Sequence, residues 1–440
     1  MLAKLKKIIL LGGDLACLHL ALFLTLAWRY PQNYWLDGWQ SHWPNFLFIF
    51  FIWIIVFYIN GLYNLNLKAF SRRFFGPAIN SASVSSALSV LYFYLNPRTN
   101  ITPKTNLLIF IIIFFLLFLA WRQFSRLLTG AAFLKIRLAV IGDNAKTDKL
   151  LKQLEKQPGS GYEVALALKS LDEISCLASD VRAKNIQAIV IGDDFDKSPE
   201  LSAALLDCLP QKIDFFSYPL FFEILCGQVP VEAINPDWFL NNLREGQKRY
   251  FDITKQTIDY FLSFIILAIS LPFWPLIGLG IKLGSPGPVF FRQTRLGKNE
   301  KPFTIIKFRT MRLGGNDSLN DHGEERITGF GSLLRRTRLD EIPQVLNILR
   351  GEMSLIGPRP ERPEIVADLE KQIPFYKTRL LIKPGLTGWD QISGDYHSFS
   401  QEDSLAKLQH DLFYLKNRSF YLDMSISLKT IATMMSRAGR

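Results

Sequence analysis

The stretch Thr257–Leu283 reads TIDYFLSFIILAISLPFWPLIGLGIKL, and the way it meets a membrane decides how the rest of the chain is arranged. Its 27 residues, at about 1.5 Å each, could cross a bilayer once. The flanking charges argue otherwise. Lys248, Arg249 and Lys255 precede or open the stretch, and Lys282, Arg292, Arg295 and Lys298 follow, so both ends carry the cytoplasmic signature. Pro272 and Pro275 each remove a backbone donor and kink a helix. The half before them, about 15 residues and ~22 Å, is too short for a ~30 Å hydrocarbon core. A helix that enters the membrane, bends at Ser270-Leu271-Pro272 and returns satisfies all of these constraints, with Ser270 and Pro272 as the break.

Downstream, Gly284–Gly297 is fixed as a loop by its prolines and glycines. Phe303–Arg312 (FTIIKFRTMR) then alternates as a strand should, which predicts Lys307 and Arg309 on one face. Two such cations can bind a diphosphate; a solvated basic face against lipid headgroups is the alternative. Next comes Arg335–Pro363, RRTRLDEIPQVLNILRGEMSLIGPRPERP. Ile342, Val345, Leu346 and Leu349 recur at helical spacing and Gly351 supplies a stop, so Asp340 and Glu341 open a short helix. Acids at a helix start are ordinary capping chemistry. Here, however, Arg335, Arg336, Arg338, Arg350, Arg359 and Arg362 supply more cations than two carboxylates need. Such a surplus suits Mg2+ and a nucleoside diphosphate, whose charge must be offset during phosphoryl transfer. Gly357-Pro358-Arg359-Pro360 holds Arg359 on a stiff loop.

Ser285–Gly297, Lys307–Met311 (KFRTM), Leu339–Gln344 (LDEIPQ), Gly351–Pro360 (GEMSLIGPRP) and Lys383–Trp389 (KPGLTGW) together resemble, in order, the motifs of the bacterial sugar transferase family, the monotopic polyprenyl-phosphate glycosyl-1-phosphate transferases. The resemblance covers about residues 246–440. It implies that Asp340 is a nucleophile toward the sugar-bearing phosphorus of a UDP-sugar and that UMP leaves from an aspartyl phosphosugar. Undecaprenyl phosphate would then take the phosphosugar, the first membrane step of exopolysaccharide, capsule or O-antigen synthesis. Glu341 would hold Mg2+ beside Asp340, and Lys307, Arg309, Arg335 and Arg359 would contact phosphates. Where relatives often carry a basic residue after Arg326-Ile327-Thr328, this chain has Gly329, behind a polar loop, Gly314–Gly323, in which His322 reads as solvated.

Upstream, the 440 residues exceed one core, and the apolar residues, 35 Phe among them, come in runs. Residues 8–28, 46–62, 77–95 and 106–128 are each apolar enough to cross a membrane. Lys4, Lys6, Lys7, Lys68, Arg72, Arg73, Arg122, Arg126, Lys135 and Arg137 flank them on one side, against Arg29, Arg98 and Lys104 on the other. That asymmetry puts both ends of the bundle in the cytoplasm, and the resemblance implies a bacterial inner membrane with the catalytic domain on its cytoplasmic face. Asp14 and His19 fall within the first span on different helix faces, with no relay partner in the other spans, and read as structural. From Ile136 the pattern becomes α/β: strands at Ile136–Ile141, Ile186–Ile191 and Lys212–Tyr218, with a helix at Lys146–Lys156, predict a small parallel Rossmann-like sheet. Gly142-Asp143-Asn144-Ala145 lacks the dinucleotide fingerprint, and its Asp would repel a pyrophosphate.

The expected fold is therefore a membrane protein, α plus α/β. Residues 1–130 form a four-helix transmembrane bundle, 131–240 a degenerate Rossmann-like domain, and 241–440 a mainly helical monotopic catalytic domain with a re-entrant helix at 257–283. The stretch Leu405–Met435 suits either amphipathic helices lying on the membrane or packing against the catalytic domain. Cys17, Cys176, Cys208 and Cys226 are scattered, without CxxC, and read as reduced and buried. The net charge of +12 resides in the last domain and the membrane flanks. Expected partners are a UDP-sugar, undecaprenyl phosphate and membrane lipid, with homodimer formation left open. Nucleic acid is not expected, since no aromatic-basic interleaving stands clear of the apolar runs. A membrane-tethered NAD-dependent sugar dehydratase would need a glycine-rich fingerprint and a Tyr-x-x-x-Lys pair, both missing from the middle region. An inactive scaffold would have no need of Asp340, Glu341, Arg335 and Arg359.

Overall fold

A computed structural model of the chain describes residues 2–30, 35–63, 72–96, 103–130, 135–157, 160–192, 198–234, 238–239, 242–243, 245–312, 327–393 and 400–435. Arg98, the loop at 314–323 with His322, and Arg326 lie outside the described residues. The chain divides into two compact units, Met1–Phe221 and Phe222–Arg440. Among the described residues, five helical stretches are long and apolar enough to cross a membrane: Leu5–Arg29, Gly38–Ile59, Phe74–Leu95, Thr105–Ser125 and Arg249–Gly284.

The first unit opens with α1 (Leu2–Arg29), α2 (Trp35–Ile59), α3 (Arg72–Leu95) and α4 (Pro103–Gly130). Phe46, Phe50, Trp53 and Phe57 on α2 meet Phe110, Phe114 and Phe118 on α4, every one of them buried. Trp53 packs edge-on to Phe114 with centroids 4.9 Å apart and donates its indole N–H to Ser89 Oγ at 3.0 Å. Arg122, expected as a flanking charge, is instead buried in this bundle: its guanidinium donates to Asp14 Oδ2 at 2.6 Å and to Leu62 O at 3.1 Å. Asp14 therefore has the partner its sequence context seemed to deny it. A carboxylate in an apolar bundle is tolerable only when paired. His19 points elsewhere, its Nδ1 2.8 Å from Leu15 O and its ring against Trp43 and Phe50.

The α/β part carries β1 (Ile136–Ile141), α5 (Ala145–Lys156), β2 (Tyr162–Leu168), α6 (Leu177–Ala183), β3 (Ala188–Ile191), α7 (Pro199–Cys208), β4 (Asp214–Ser217) and α8 (Tyr218–Cys226). The sheet runs β2-β1-β3-β4, parallel throughout. β2 is the strand the sequence reading did not include. It is an edge strand with only Leu168 fully buried, so it lacks the apolar run that marks β1 and β3. After β1, Asn144 caps α5 by accepting from Thr147 N at 2.8 Å. Of the four cysteines only Cys208 is buried; Cys176 is exposed, Cys17 and Cys226 are half-buried, and none is in a disulfide.

The second unit begins at Phe222, ahead of the boundary expected at 240, and Val229, Val231 and Ile234 lie in its core. It holds α9 (Arg249–Ser270), α10 (Trp274–Gly284), the antiparallel pair β5 (Phe290–Leu296) and β6 (Pro302–Phe308), α11 (Gly329–Arg336), a 3-10 turn at Leu339–Gln344, α12 (Val345–Leu349), β7 (Ser354–Ile356), α13 (Pro363–Gln372), β8 (Gly385–Thr387), α14 (Trp389–Ser393), α15 (Gln401–Asn417) and α16 (Phe420–Met435). β7 and β8 pair in parallel. The C-terminal stretch divides between its two readings. Leu408, Leu412 and Leu415 bury α15 in the core, whereas α16 keeps Leu422 and Ile426 inside and leaves Phe420, Tyr421 and Met424 exposed.

Within the long apolar stretch α9 ends at Ser270 and a 3-10 turn covers Leu271–Phe273. Ser270 Oγ donates to Leu267 O at 3.3 Å and accepts from Trp274 Nε1 at 3.2 Å, supplying polar contacts where Pro272 has no N–H to give. Both arms pack on the same unit. Asp259 of α9 accepts from Ser354 Oγ at 2.6 Å, and Ile281, Trp274 and Ile277 of α10 pack with Phe308, Phe290 and Leu334. The outer face of the two arms is apolar and exposed, from Phe261 and Phe264 through Leu271 to Leu276 and Leu279.

Candidate active site

The site is assembled from the basic strand, the turn that carries the acids, and the Pro-Arg-Pro loop. α11 starts at Thr328, whose side chain caps Gly331 N at 2.9 Å. Gly331 then passes so close to the Thr310 carbonyl that a Cβ would overlap it. This approach lets Arg335, one turn on, donate from Nε to Thr310 Oγ1 at 2.9 Å. Arg338 takes a left-handed conformation, φ +58°, and turns the chain out of α11 into the Leu339–Gln344 turn. A bulky residue there is strained, and such strain persists only where its surroundings hold it. Asp340 and Glu341 occupy the first turn, as expected, but that turn is 3-10, and the α-helix is only Val345–Leu349. Pro343 sits inside the turn, and Gly351, φ +77°, stops the helix.

The two carboxylates differ. Glu341 Oε1 accepts from Lys307 Nζ at 2.7 Å, Arg338 lies 3.7 Å from Oε2, and Arg359 lies 4.0 Å from Oε1. Burial works to raise the Glu341 pKa, but Lys307, Arg359 and Arg338 outweigh it and hold the carboxyl below its usual range. Asp340 is buried and its Oδ1 has no hydrogen-bond partner among the described residues. Burial first, and the neighbouring Glu341 charge second, push its carboxyl above the usual range, against Lys307, Arg335 and Arg338. One acid is tethered by cations; the other is desolvated and open.

Asn347, which the sequence reading passed over, fixes this geometry. Fully buried, it donates from Nδ2 to Thr304 O and Glu352 Oε2, both at 2.7 Å, and accepts from Ile306 N at 3.2 Å. α12 is thereby locked to β6, which places Lys307 opposite Glu341. A polar residue inside an apolar helix was the available signal. Arg309 is not brought to the acids. One residue past the end of β6, its backbone N–H still donates to Val289 O at 2.9 Å, and its buried guanidinium donates to Pro286 O at 2.8 Å and Ser285 O at 2.7 Å. Its guanidinium clasps the loop that follows α10, whereas Lys307 turns to Glu341.

The loop bearing Arg359 is held from behind. Arg379 donates to Arg359 O and Arg295 to Pro360 O, each at 3.1 Å. Gly357 N and Gly385 N add backbone bonds to Thr387 O and Pro358 O at 2.9 and 2.8 Å. Arg379 is itself buried against Asp411 at 2.7 Å. Neither Arg379 nor Asp411 stood out in the sequence, since each matches its partner only through the fold. Among the described residues no group of three acids, histidines or cysteines converges as a metal site. Mg2+, however, is commonly held by one or two carboxylates together with substrate phosphates. The free Oδ1 of Asp340 beside Glu341 fits that arrangement.

Residues 250–437 match the model of the family described as "Bacterial sugar transferase". The chain is 34% identical over 265 residues to a UDP-N-acetylgalactosamine-undecaprenyl-phosphate N-acetylgalactosaminephosphotransferase of Aeromonas hydrophila, covering 59% of this chain and 62% of that protein. It is 39% identical over 316 residues to a UDP-glucose:undecaprenyl-phosphate glucose-1-phosphate transferase of Xanthomonas campestris pv. campestris, covering 68% and 57%. A protein of the same name from Escherichia coli (strain K12) is 31% identical over 321 residues, covering 68% of this chain and 67% of that one. The matched span contains Lys307, Asp340, Glu341, Arg359 and the residues that hold them, and the chain belongs to the bacterial sugar transferase family.

Proposed function

We propose that the chain transfers a sugar 1-phosphate from a UDP-sugar to undecaprenyl phosphate, releasing UMP and forming undecaprenyl diphospho-sugar. The observation that carries this reading is the division of the acid pair: Asp340 has an open, buried oxygen while Glu341 is fixed by Lys307. Asp340 attacks the sugar-bearing phosphorus; a P–O bond forms to its carboxylate, the bond to the bridging oxygen breaks, and UMP leaves with the electron pair. A phosphate oxygen of undecaprenyl phosphate then attacks the aspartyl phosphosugar, and Asp340 departs as carboxylate. Asp340 and Glu341 would hold Mg2+, whose charge would offset that of the diphosphate. Lys307, Arg338 and Arg359 face the same position and would bind phosphate oxygens, with Arg335 beside them on Thr310.

A re-entrant α9–α10 pair is supported by the break at Ser270–Pro272, by the packing of both arms on one unit and by their exposed apolar outer face. It would keep the site at the cytoplasmic surface of the bacterial inner membrane, where a soluble donor and a lipid acceptor can meet one carboxylate in turn. The relatives are named for different sugars, so the donor is best found by screening UDP-sugars for UMP release. The test of mechanism is Asp340→Asn, expected to abolish UMP release; survival of that release overturns the reading. Exchange of labelled UMP into UDP-sugar without lipid is expected for a covalent step, and strictly sequential kinetics would make Asp340 a base.

A further inference from the structure

α9 is built inside out. Its only buried residues are the polar Asp259 and Ser263, while Ile253, Ile258, Phe261 and Leu262 face outward. The inward face borders a cavity of about 90 Å³ whose charged lining is Asp252, Lys255, Asp259, Lys298, Lys383 and Arg418. A water needs only about 10–15 Å³ of such space, so there is room for several waters or one tetrahedral oxyanion.

The charges in this lining are unequally spent. Lys255 pairs with Asp423 at 2.7 Å and with Asp259 at 4.0 Å, and Arg418 pairs with Glu245 at 2.7 Å and Asp252 at 3.2 Å. Half-buried Lys383 has neither a hydrogen bond nor an ion pair among the described residues. Lys298 stands exposed in the same lining. The Tyr260 hydroxyl accepts from Gln256 Nε2 at 2.5 Å, which leaves its own proton to give. Lys383 and Tyr260 lie side by side against Gly351: a Cβ there would lie 3.6 Å from Lys383 Nζ and 3.0 Å from Tyr260 Oη. An unspent ammonium and an unspent hydroxyl thus meet on the polar side of a helix whose other side suits hydrocarbon.

We propose that this cavity binds the phosphate group of a membrane lipid, with Lys383 and Tyr260 as donors and the acyl or prenyl chain along the apolar outer face of α9. A phosphate monoester suits it best, being able to accept from both donors while its ester oxygen leads outward. The inference rests on the membrane placement of α9 but not on the transfer reaction. It is tested on the full chain in phosphatidylcholine nanodiscs, using phosphatidic acid with a photoreactive acyl chain and reading both its binding curve and the peptides it labels. Labelling of α9 is expected. Lys383→Gln and, separately, Tyr260→Phe should weaken binding about five- to tenfold, while Lys301→Gln, outside the cavity, and Asp340→Asn should bind as the parent does. Tyr260→Phe removes one oxygen only, so it reports even if Lys383→Gln folds poorly. Unchanged binding in both variants, or equal labelling by a photoreactive diacylglycerol, overturns the proposal. Displacement by inorganic phosphate at the lipid's own concentration would make the ligand free phosphate and overturn the lipid assignment. UMP release by the parent chain is measured separately, so lipid binding stands or falls whatever becomes of the transfer reading.

Discussion

Replacing Lys307 with Met tests whether its main role is to hold Glu341. The two side chains are 21% and 15% exposed and meet at 2.7 Å, between the surface and buried classes of ion pair. Exposed pairs contribute about 0–1 kcal/mol, and breaking a buried one costs about 3–5 kcal/mol. Arg338 at 3.7 Å and Arg359 at 4.0 Å remain to compensate Glu341, so the expected cost is about 2 kcal/mol. For a unit of this size that is a fall in Tm of about 4–8 °C, read by thermal unfolding in detergent. The sign with pH follows from the depressed Glu341 pKa. Its stabilisation is complete above the unfolded carboxyl pKa and is lost as pH falls through the folded one, so the deficit of Lys307→Met should close on acidification. A cycle with Glu341→Gln should return most of the loss as coupling. A deficit that persists in acid, or a coupling near zero, would refute the assignment of Lys307 to Glu341.

Asp340→Asn should be more stable than the parent at neutral pH, because the raised carboxyl pKa means the ionised form costs stability above it. The gap should vanish below the ordinary Asp range, as unfolding curves at pH 7 and pH 3 would register. Asn347→Leu forfeits three hydrogen bonds and strands the Ile306 N–H and the Thr304 carbonyl, costing about 2–4 kcal/mol by denaturant titration. Gly331→Ala must push α11 off Thr310, so UMP release should fall about tenfold or more while the chain still folds. His410 is buried and its pKa is lowered to about 4, so it should add acid lability between about pH 6.5 and 4 that His410→Gln abolishes in a pH series of melting curves.

What could be read from the sequence divides by the range of the interactions. Helices α1 to α4 and strands β1 and β3 follow from apolar runs that act locally, and each is found in place. β2 was hidden because an edge strand with one buried residue carries little pattern. In the candidate site, Asp340, Glu341, Lys307 and Arg359 stand in short charged motifs, and the structure brings Lys307 and Arg359 to Glu341. Arg122, Arg309 and Arg379 show the limit. As letters they are three basic residues, yet one neutralises Asp14, one clasps the carbonyls of Ser285 and Pro286, and one props the Arg359 loop. A charge count cannot distinguish a cation aimed at a substrate from one consumed by the fold, because the partners lie 108, 24 and 20 residues away.

That distinction bears on why the proposed nucleophile is surrounded by so many cations and bonded to none. A carboxylate gripped by arginine is a poor nucleophile, since its lone pairs are engaged and its basicity is low. A carboxylate buried with no compensation would take up a proton instead. Asp340 lies between these limits. Lys307 makes its short contact with Glu341, where Arg338 and Arg359 also lie, and it is the fields of Lys307, Arg335 and Arg338 that reach Asp340. Burial then raises its basicity while the surrounding positive charge opposes the rise. On this view Glu341 serves as a decoy for the cations. Glu341→Gln removes the neighbouring charge that raises the Asp340 pKa and releases Lys307 toward it, so it should lower that pKa and slow the attack even at saturating Mg2+. A pH profile of UMP release whose acid limb moves down in Glu341→Gln would carry that argument, and a limb that stays in place would remove it.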